Sequence, residues 1–338
     1  MSEYILLFPL IVSFLVSLFL LPPWIRRAQH AGLVGRDMNK VAENKVAEAG
    51  GVTVIAGFVI GTLFYIALKT FYLRQGDYIP EIFALMSVVL IVAFIGMIDD
   101  LLGWKIGLSK RVRLFLVLFA AVPLIVINAG SSAIYLPFLE KINIGLWYLI
   151  LVIPLGVVGA STTFNFLAGY NGLEARQGIL LLAALAIAVW FTGSPWLAII
   201  SLCMAAALAA FLIFNTYPAQ VFPGDVMTYS LGALIAAIAI LGNIEKFAVF
   251  IFIPNIIEII LKLRGGLKKE SFAVPQKDGS IVLRYSKIYG LEHAAIKILQ
   301  KYKKKVYEQD VVHWINIFQV AVILIGFIIF REGIFAHG

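Results

Sequence analysis

The chain has 338 residues, of which 62% are apolar and 14% are charged, and its mean hydropathy is +0.97. Soluble domains average about 45–50% apolar and about 25% charged residues, so this composition excludes an ordinary soluble enzyme, a secreted disulfide-rich scaffold and a disordered chain. The single cysteine, Cys203, excludes an internal disulfide and a cysteine-rich metal site. The net charge of +8 does not indicate nucleic-acid binding, because in so apolar a chain the positions of the basic residues matter more than their sum.

Ten stretches of the chain are apolar and approach the length that crosses a bilayer, which is roughly 17–25 residues in a helix. They predict membrane-spanning helices at residues 4–24, 51–68, 82–98, 112–128, 146–163, 178–192, 195–214, 228–242, 247–261 and 313–330. The first stretch is interpreted as a mature helix, because no positively charged segment of a signal peptide precedes it. We therefore expect an all-α polytopic membrane protein, with residues 1–338 forming a single integral membrane domain.

The basic residues divide unequally between the two sets of connections that ten spans create. Connections 1–2, 3–4, 5–6, 7–8 and 9–10 hold 21 of the 27 lysines and arginines and carry a net charge of +9, whereas the opposite set, with both termini, carries −1. Cytoplasmic loops of membrane proteins collect lysine and arginine. We therefore expect the first set of connections to be cytoplasmic and both termini to lie outside a cell membrane.

The longest of these connections, residues 262–312, lies between the ninth and tenth predicted helices. Within it, residues 289–306 have the pattern of an amphipathic helix that ends in a run of lysines. A helix of this kind is typical of one that lies on anionic lipid headgroups. A substrate-specific role is the alternative.

Short polar clusters are concentrated in the connections that we expect to be cytoplasmic. Polar groups close to a membrane are costly, so clusters of them are the first candidates for function. The clusters are residues 36–40 with 48–51, the pair Asp99 and Asp100, residues 165–174, and residues 215–218 with 222–225. Because all of them fall in odd-to-even connections, they are predicted to line one cavity.

The residue types in these clusters favour a metal ion and a phosphate-bearing ligand. Asp99 and Asp100 follow an apolar run at a helix C-terminus, where the dipole disfavours anions and a compensating cation is needed. Two solvated loop acids are the alternative interpretation. Asp225 and the segment around Asn171 add oxygen ligands of the kind that Mg²⁺ shares with substrate phosphates, and no histidine and cysteine set favours zinc. Lys40, Lys110 and Arg111 are suited to phosphate oxygens, and the glycines of these clusters would let backbone N–H groups approach such a ligand; they are Gly50, Gly51, Gly169, Gly172 and Gly224.

In their order along the chain, the four clusters resemble those of the polyprenyl-phosphate N-acetylhexosamine-1-phosphate transferase family. The resemblance covers residues 35–261 and points to the archaeal and eukaryotic type, which uses UDP-GlcNAc and dolichyl phosphate. It implies that the lipid phosphate attacks the β-phosphate of the donor, which gives lipid-linked pyrophosphate GlcNAc and UMP. This reaction is the first step of lipid-linked oligosaccharide assembly for N-glycosylation. Another UDP-N-acetylhexosamine, or cell-wall polymer synthesis, is the alternative within the same chemistry.

The resemblance also implies roles for single residues. Asn171 and Asp225 match the ligands of Mg²⁺, with Mn²⁺ as an alternative ion. Asp99 and Asp100 match the essential acidic pair, in which we assign activation of the acceptor phosphate to Asp100. The residues implied in substrate binding are Asp37, Met38, Glu48, Gln177 and Phe222 for the nucleotide sugar, with Phe222 stacked on uracil, Lys110 for the lipid phosphate, and Asn165, Gly169 and Gly172 along that phosphate.

The chain departs from the family in the last cytoplasmic loop. Eukaryotic members have an Arg-His-Arg element there that holds the pyrophosphate and the sugar, whereas residues 268–275 of this chain contain no histidine. Together with the form of residues 171–174, this departure points to an archaeal member. The candidates for a replacement are Lys268, Lys269, Arg284 and the Glu292–His293 pair, and the sequence does not choose between them.

Two other classes compete with the transferase interpretation. A secondary transporter would place its binding groups near the middle of the membrane, but Glu258 is the one carboxylate well inside a predicted span. Residues 172–176 match part of the CDP-alcohol phosphotransferase motif without the aspartates that it requires. We therefore expect UDP-GlcNAc, a polyprenyl phosphate and membrane lipids as partners, with a homodimer left open.

Overall fold

The computed structural model of the protein describes residues 5–42, 45–131, 133–135, 141–143 and 145–335. Eight of the helices in this described part are long and apolar enough to cross a membrane. The expectation of an all-α polytopic membrane protein is therefore confirmed.

The helices in chain order are α1 (Phe8–Ala31), α2 (Gly51–Ala67, continued by a π-helical turn at Leu68–Tyr72), α3 (Ile79–Ile106), α4 (Lys110–Ala120), α5 (Val122–Val126), α6 (Ile153–Phe166, preceded by a π-helical turn at Tyr148–Val152), α7 (Leu173–Phe191), α8 (Pro195–Asn215), α9 (Gly224–Leu241), α10 (Glu245–Ile251), α11 (Ile253–Arg264), α12 (Leu291–Leu299), α13 (Glu308–Ile329) and α14 (Arg331–Phe335). In the described part of the chain, six short strands pair as antiparallel hairpins: β1 (Val34–Arg36) with β2 (Lys45–Ala47), β3 (Ala133–Tyr135) with β4 (Lys141–Asn143), and β5 (Val274–Pro275) with β6 (Ile281–Val282).

Two of the ten predicted spans are each divided into two shorter helices. The fourth consists of α4 and α5, which meet at Ala121 just before Pro123, and the ninth consists of α10 and α11, which meet at Phe252 just before Pro254. Proline lacks the N–H that a helix interior needs, so both breaks fall where the sequence cannot continue the ladder. The count of ten membrane crossings stays a prediction.

Helix α9 lies at the centre of the bundle. Nearly all of its side chains are buried, and α3 and α6 pack along it. The helices α3 and α9 approach closely at Gly96, where a Cβ atom would lie 2.7 Å from the backbone of Asp225. A glycine at this position therefore brings the C-terminal part of α3, with its acidic pair, against the first turn of α9.

Side-chain contacts show that the even-to-odd connections lie at one end of the bundle and the odd-to-even connections at the other. At one end Tyr78 stacks on Trp196, and the Tyr148 hydroxyl donates a hydrogen bond to Glu245, so the even-to-odd connections meet there. The four polar clusters, all in odd-to-even connections, lie together at the opposite end. This arrangement is the one that alternating spans require.

The connection between α11 and α13 packs over the end that carries the polar clusters. Its helix α12 is shorter than the predicted amphipathic segment, and Leu291, Ala295 and Ile296 on its apolar side are buried in a small core with Tyr170 and residues of α13. Of the side predicted to lie on lipid headgroups, Leu291 and Ala295 are thus covered by the protein itself, whereas Ile298 is exposed. The contact of this helix with lipid stays a prediction.

Candidate active site

An open cavity of about 330 Å³ lies at the end of the bundle where the odd-to-even connections meet. Nine of the predicted site residues line it: Asp37, Met38, Glu48, Asp100, Asn165, Gly169, Asn171, Phe222 and Asp225. A second cavity of about 370 Å³ adjoins it, shares Glu48, Asp100 and Asp225, and adds Asp99. The prediction that the separate polar clusters line one cavity is confirmed.

Asp100 caps the N-terminus of α9. Its Oδ1 accepts a hydrogen bond from the backbone N–H of Asp225 at 2.8 Å, and its Oδ2 accepts one from Val226 at 3.0 Å. The positive end of the α9 dipole therefore compensates a carboxylate that the end of α3 disfavours. Gly224 makes room for this contact, because its φ is 72° and a Cβ atom there would lie 2.4 Å from Oδ2 of Asp100.

Arg113 connects the other two aspartates. Its guanidinium pairs with Oδ2 of Asp225 at 2.6 Å and with Asp99, and it donates to the Tyr229 hydroxyl at 3.0 Å. The backbone N–H of Leu108 donates to the remaining oxygen of Asp99 at 2.6 Å. One arginine among three aspartates leaves this group with excess negative charge, which favours a further cation.

Arg113 is a site residue that the sequence patterns did not predict. The residue predicted instead, Lys110, is exposed, donates to the carbonyl of Leu267 at 3.2 Å and lines neither cavity. The signal for Arg113 was its position inside a predicted membrane span, where an uncompensated charge is costly. Arg113 lies three residues after Lys110 in α4, and its guanidinium reaches both Asp99 and Asp225.

Asn171 is held by hydrogen bonds from four directions. Its Oδ1 accepts from Nζ of Lys40 at 3.1 Å and from the backbone N–H of Ala219 at 2.7 Å. Its Nδ2 donates to Asp37 at 3.1 Å, and its backbone N–H donates to Glu308 at 2.6 Å. Lys40 also pairs with Asp37 at 2.5 Å. Asn171 thus joins three odd-to-even connections to the first turn of α13.

The carboxylates and Asn171 differ in how well they suit a divalent ion. Asp225 is half-buried, lines both cavities and has Asp99 beside it, and these are oxygen donors of the type that Mg²⁺ prefers. The oxygen of Asn171 faces the ammonium group of Lys40, so it can reach an ion only after Lys40 turns away. Among the described residues, no three His, Cys, Asp or Glu side chains are arranged to hold an ion by themselves. The aspartates therefore fit an ion that substrate phosphates help to coordinate.

Gln177 and Gly172 lie behind the cavity wall. Gln177 is 1% exposed, and its Nε2 donates to Oδ1 of Asn316 on α13 at 2.9 Å. Gly172 immediately precedes α7, and neither residue lines either of the two described cavities. The expectation that Gln177 contacts the nucleotide sugar does not agree with this placement, because its amide is used in packing α7 against α13.

Glu48 lines both cavities from the connection between α1 and α2. Burial raises the pKa of its carboxyl group above the ordinary value for glutamate. A group in this environment keeps its proton to higher pH than a solvated glutamate does.

Known proteins are similar in sequence to this chain over most of its length. Residues 82–243 match glycosyl transferase family 4. Two relatives provisionally named UDP-N-acetylglucosamine–dolichyl-phosphate N-acetylglucosaminephosphotransferase, from Saccharolobus solfataricus and Sulfolobus acidocaldarius, are 39% and 34% identical over 87% of this chain and 88% of their own. A phospho-N-acetylmuramoyl-pentapeptide-transferase from Shouchella clausii is 30% identical over 78% of this chain and 84% of its own. The chain therefore belongs to glycosyl transferase family 4.

Proposed function

We propose that this protein transfers GlcNAc-1-phosphate from UDP-GlcNAc to a polyprenyl phosphate of the dolichyl type, at the cytoplasmic face of the membrane. The observation that carries the proposal is the group of Asp99, Asp100, Asp225 and Arg113 at one end of a membrane bundle. A water-soluble donor and a lipid acceptor can meet only at such a boundary. The names of the archaeal relatives support this pair of substrates, and the basic connections support the cytoplasmic side.

The reaction joins two anions. A phosphate oxygen of the lipid forms a bond to the β-phosphorus of UDP-GlcNAc, and the bond from that phosphorus to the bridging oxygen breaks, so the bridging oxygen leaves on UMP. Arg113 places positive charge beside this centre. Mg²⁺ would neutralise developing charge on the phosphates, and Asp225 would hold it, with the charge of Asp99 beside it. Asn171 stays a predicted ligand, dependent on the release of its oxygen by Lys40.

Asp100 contributes to the site by holding the first turn of α9 in position. A phosphate monoester is already largely dianionic at neutral pH, since its second pKa is about 6, so the attack does not depend on a strong base. By accepting hydrogen bonds from Asp225 and Val226, Asp100 fixes the turn that presents the Asp225 carboxylate. The activation of the acceptor phosphate by Asp100 stays a prediction.

A transfer assay with two labels tests the proposal. Purified protein in nanodiscs receives polyprenyl phosphate, Mg²⁺ and UDP-GlcNAc that carries ³²P in the β-phosphate and ³H in the sugar. Both labels are expected in the organic phase in equal amounts, with one UMP released per product. Release of UDP instead of UMP, or transfer of ³H alone, would contradict the proposal. Uptake of intact donor into sealed vesicles would favour the transporter.

Substitution of Phe222 by alanine tests how the donor is held. Phe222 lines the cavity, and its backbone is fixed by hydrogen bonds to Ala47 and Gly50, so loss of the ring leaves the loop in place. Stacking of a base on an aromatic ring contributes about 1–3 kcal/mol. The KM for UDP-GlcNAc is expected to rise about tenfold while the KM for polyprenyl phosphate stays within about twofold. Equal increases in both constants would argue against stacking on uracil.

A further inference from the structure

The connection between α11 and α12 presents an aromatic ring to the cavity. Phe272 is half-buried and lines the 330 Å³ cavity, whereas Lys268, Lys269 and Arg284 of the same connection are exposed and do not line it. Arg284 instead pairs with Glu270. These three candidates for replacing the missing cationic element are thus not part of the cavity lining, and the connection contributes an aromatic ring there instead.

The backbone on both sides of Phe272 is fixed to the cavity wall. The Tyr170 hydroxyl donates to the carbonyl of Ser271 at 3.3 Å, and the N–H of Ala273 donates to Oδ1 of Asn39 at 3.1 Å. Tyr170, Ser271, Ala273 and Asn39 are all buried. The position of the ring is therefore set before a ligand arrives, which is the condition for selecting among ligands.

A buried ion pair fixes the base of the same connection. Lys262 donates to the Ser271 hydroxyl at 2.5 Å and lies 3.5 Å from Glu258, whose other oxygen accepts the N–H of Leu291. Glu292, also fully buried, lies beside Glu258 and beneath Gly290. Glu292 and its neighbour His293 therefore lie beneath this connection and are not part of the cavity lining.

The ring lies directly against Gly169. A Cβ atom on Gly169 would lie 2.7 Å from the edge of the Phe272 ring, and Asn39, which fixes Ala273, also donates to the Gly169 carbonyl at 3.0 Å. The Gly169 position therefore has to be free of a side chain for the ring to stand where it does. Phe272 consequently forms one wall with the segment that leads to Asn171.

Three parts of the donor need places in the cavity: the uracil, the pyrophosphate and the sugar. The aspartates and Arg113 provide the charged region, and Phe222 provides one aromatic surface on a different connection. A second aromatic surface suits the C–H face and the acetamido methyl group of a hexosamine, because these are its apolar parts. We propose that Phe272 is a specificity-determining residue that packs against the N-acetylhexosamine of the donor. This inference rests on the proposed function.

Ligand binding without the lipid acceptor tests the role of Phe272. The affinities of UMP, UDP-GlcNAc and UDP-glucose are measured for the nanodisc-bound wild type and for the variants Phe272→Ala, Phe272→Leu and Val274→Ala. Val274 is exposed on the same connection and serves as the matched control. Phe272→Ala is expected to weaken UDP-GlcNAc about tenfold, to leave UMP within about twofold and to reduce the preference for UDP-GlcNAc over UDP-glucose by a similar factor. Phe272→Leu should be intermediate and Val274→Ala unchanged.

Two results would overturn the inference. A parallel loss of UMP affinity would show that the ring holds the uridine, and an unchanged preference between the two sugars in both Phe272 variants would show that it only shapes the wall. Thermal unfolding of each variant identifies any loss of fold. If Phe272→Ala does not fold, the affinities of Phe272→Leu decide whether the ring contacts the sugar. Failure of the proposed function is distinct, because the wild type itself would then neither bind UDP-GlcNAc nor release UMP.

Discussion

Asp225→Ala is expected to reduce the transfer of GlcNAc-1-phosphate at least about a thousandfold at saturating substrates. The carboxylate lines both cavities and is the best placed oxygen donor for a divalent ion. The fold should persist, because the backbone N–H of residue 225, and not its side chain, makes the bond to Asp100. UMP release and thermal unfolding, measured on the same preparation, separate the two effects.

Binding of the ion can be measured apart from turnover. The affinity for Mn²⁺, followed by electron paramagnetic resonance in the presence of UDP-GlcNAc, should fall at least about tenfold in Asp225→Ala and also in Asp225→Asn, which keeps the shape but loses the charge. Asp278→Ala is the control, since Asp278 pairs with Lys305 on the surface. A wild-type rate, or wild-type Mn²⁺ binding, in Asp225→Ala would remove Asp225 from the site.

The bundle itself could be predicted from sequence for a physical reason. Lipid offers no hydrogen bonds to the backbone, so each crossing segment has to satisfy its own N–H and C=O groups, and long apolar stretches become helices. The breaks at Pro123 and Pro254 follow from equally local chemistry. By contrast, the apolar side of α12 has the same periodicity whether lipid or protein covers it. The pattern shows that Leu291, Ala295 and Ile296 have to be buried, but it does not show whether lipid or protein buries them.

The contacts of the site depend on residues far apart in the chain. The sequence indicated that Asp100 needs compensation at the end of α3, but much of the compensation comes from the first turn of α9, 125 residues later. For Gln177 the resemblance implied a nucleotide contact, yet α13 supplies Asn316 as its partner. Such pairings are set by how the helices pack, which a single sequence does not show.

Arg113→Ala is expected to lower kcat at least about a hundredfold. The substitution removes the one cation that bridges Asp99 and Asp225, so the two carboxylates repel each other and the positive charge beside the reacting phosphates is lost. Arg113→Lys should recover part of the rate, because an ammonium group keeps the charge but cannot bridge two carboxylates and the Tyr229 hydroxyl as a guanidinium does. The affinity for UMP should change less than kcat, since uracil stacking does not involve this residue.

The comparison with Lys110→Ala decides which cation meets the lipid phosphate. The resemblance assigns this role to Lys110, whereas its exposed side chain and its bond to the Leu267 carbonyl place it outside both cavities. We expect Lys110→Ala to keep the rate within about threefold, with Arg284→Ala as a surface control that also breaks an ion pair. A larger loss of transfer rate in Lys110→Ala than in Arg113→Ala would identify Lys110 as the ligand of the lipid phosphate. Arg113 would then only hold Asp99 and Asp225 in position.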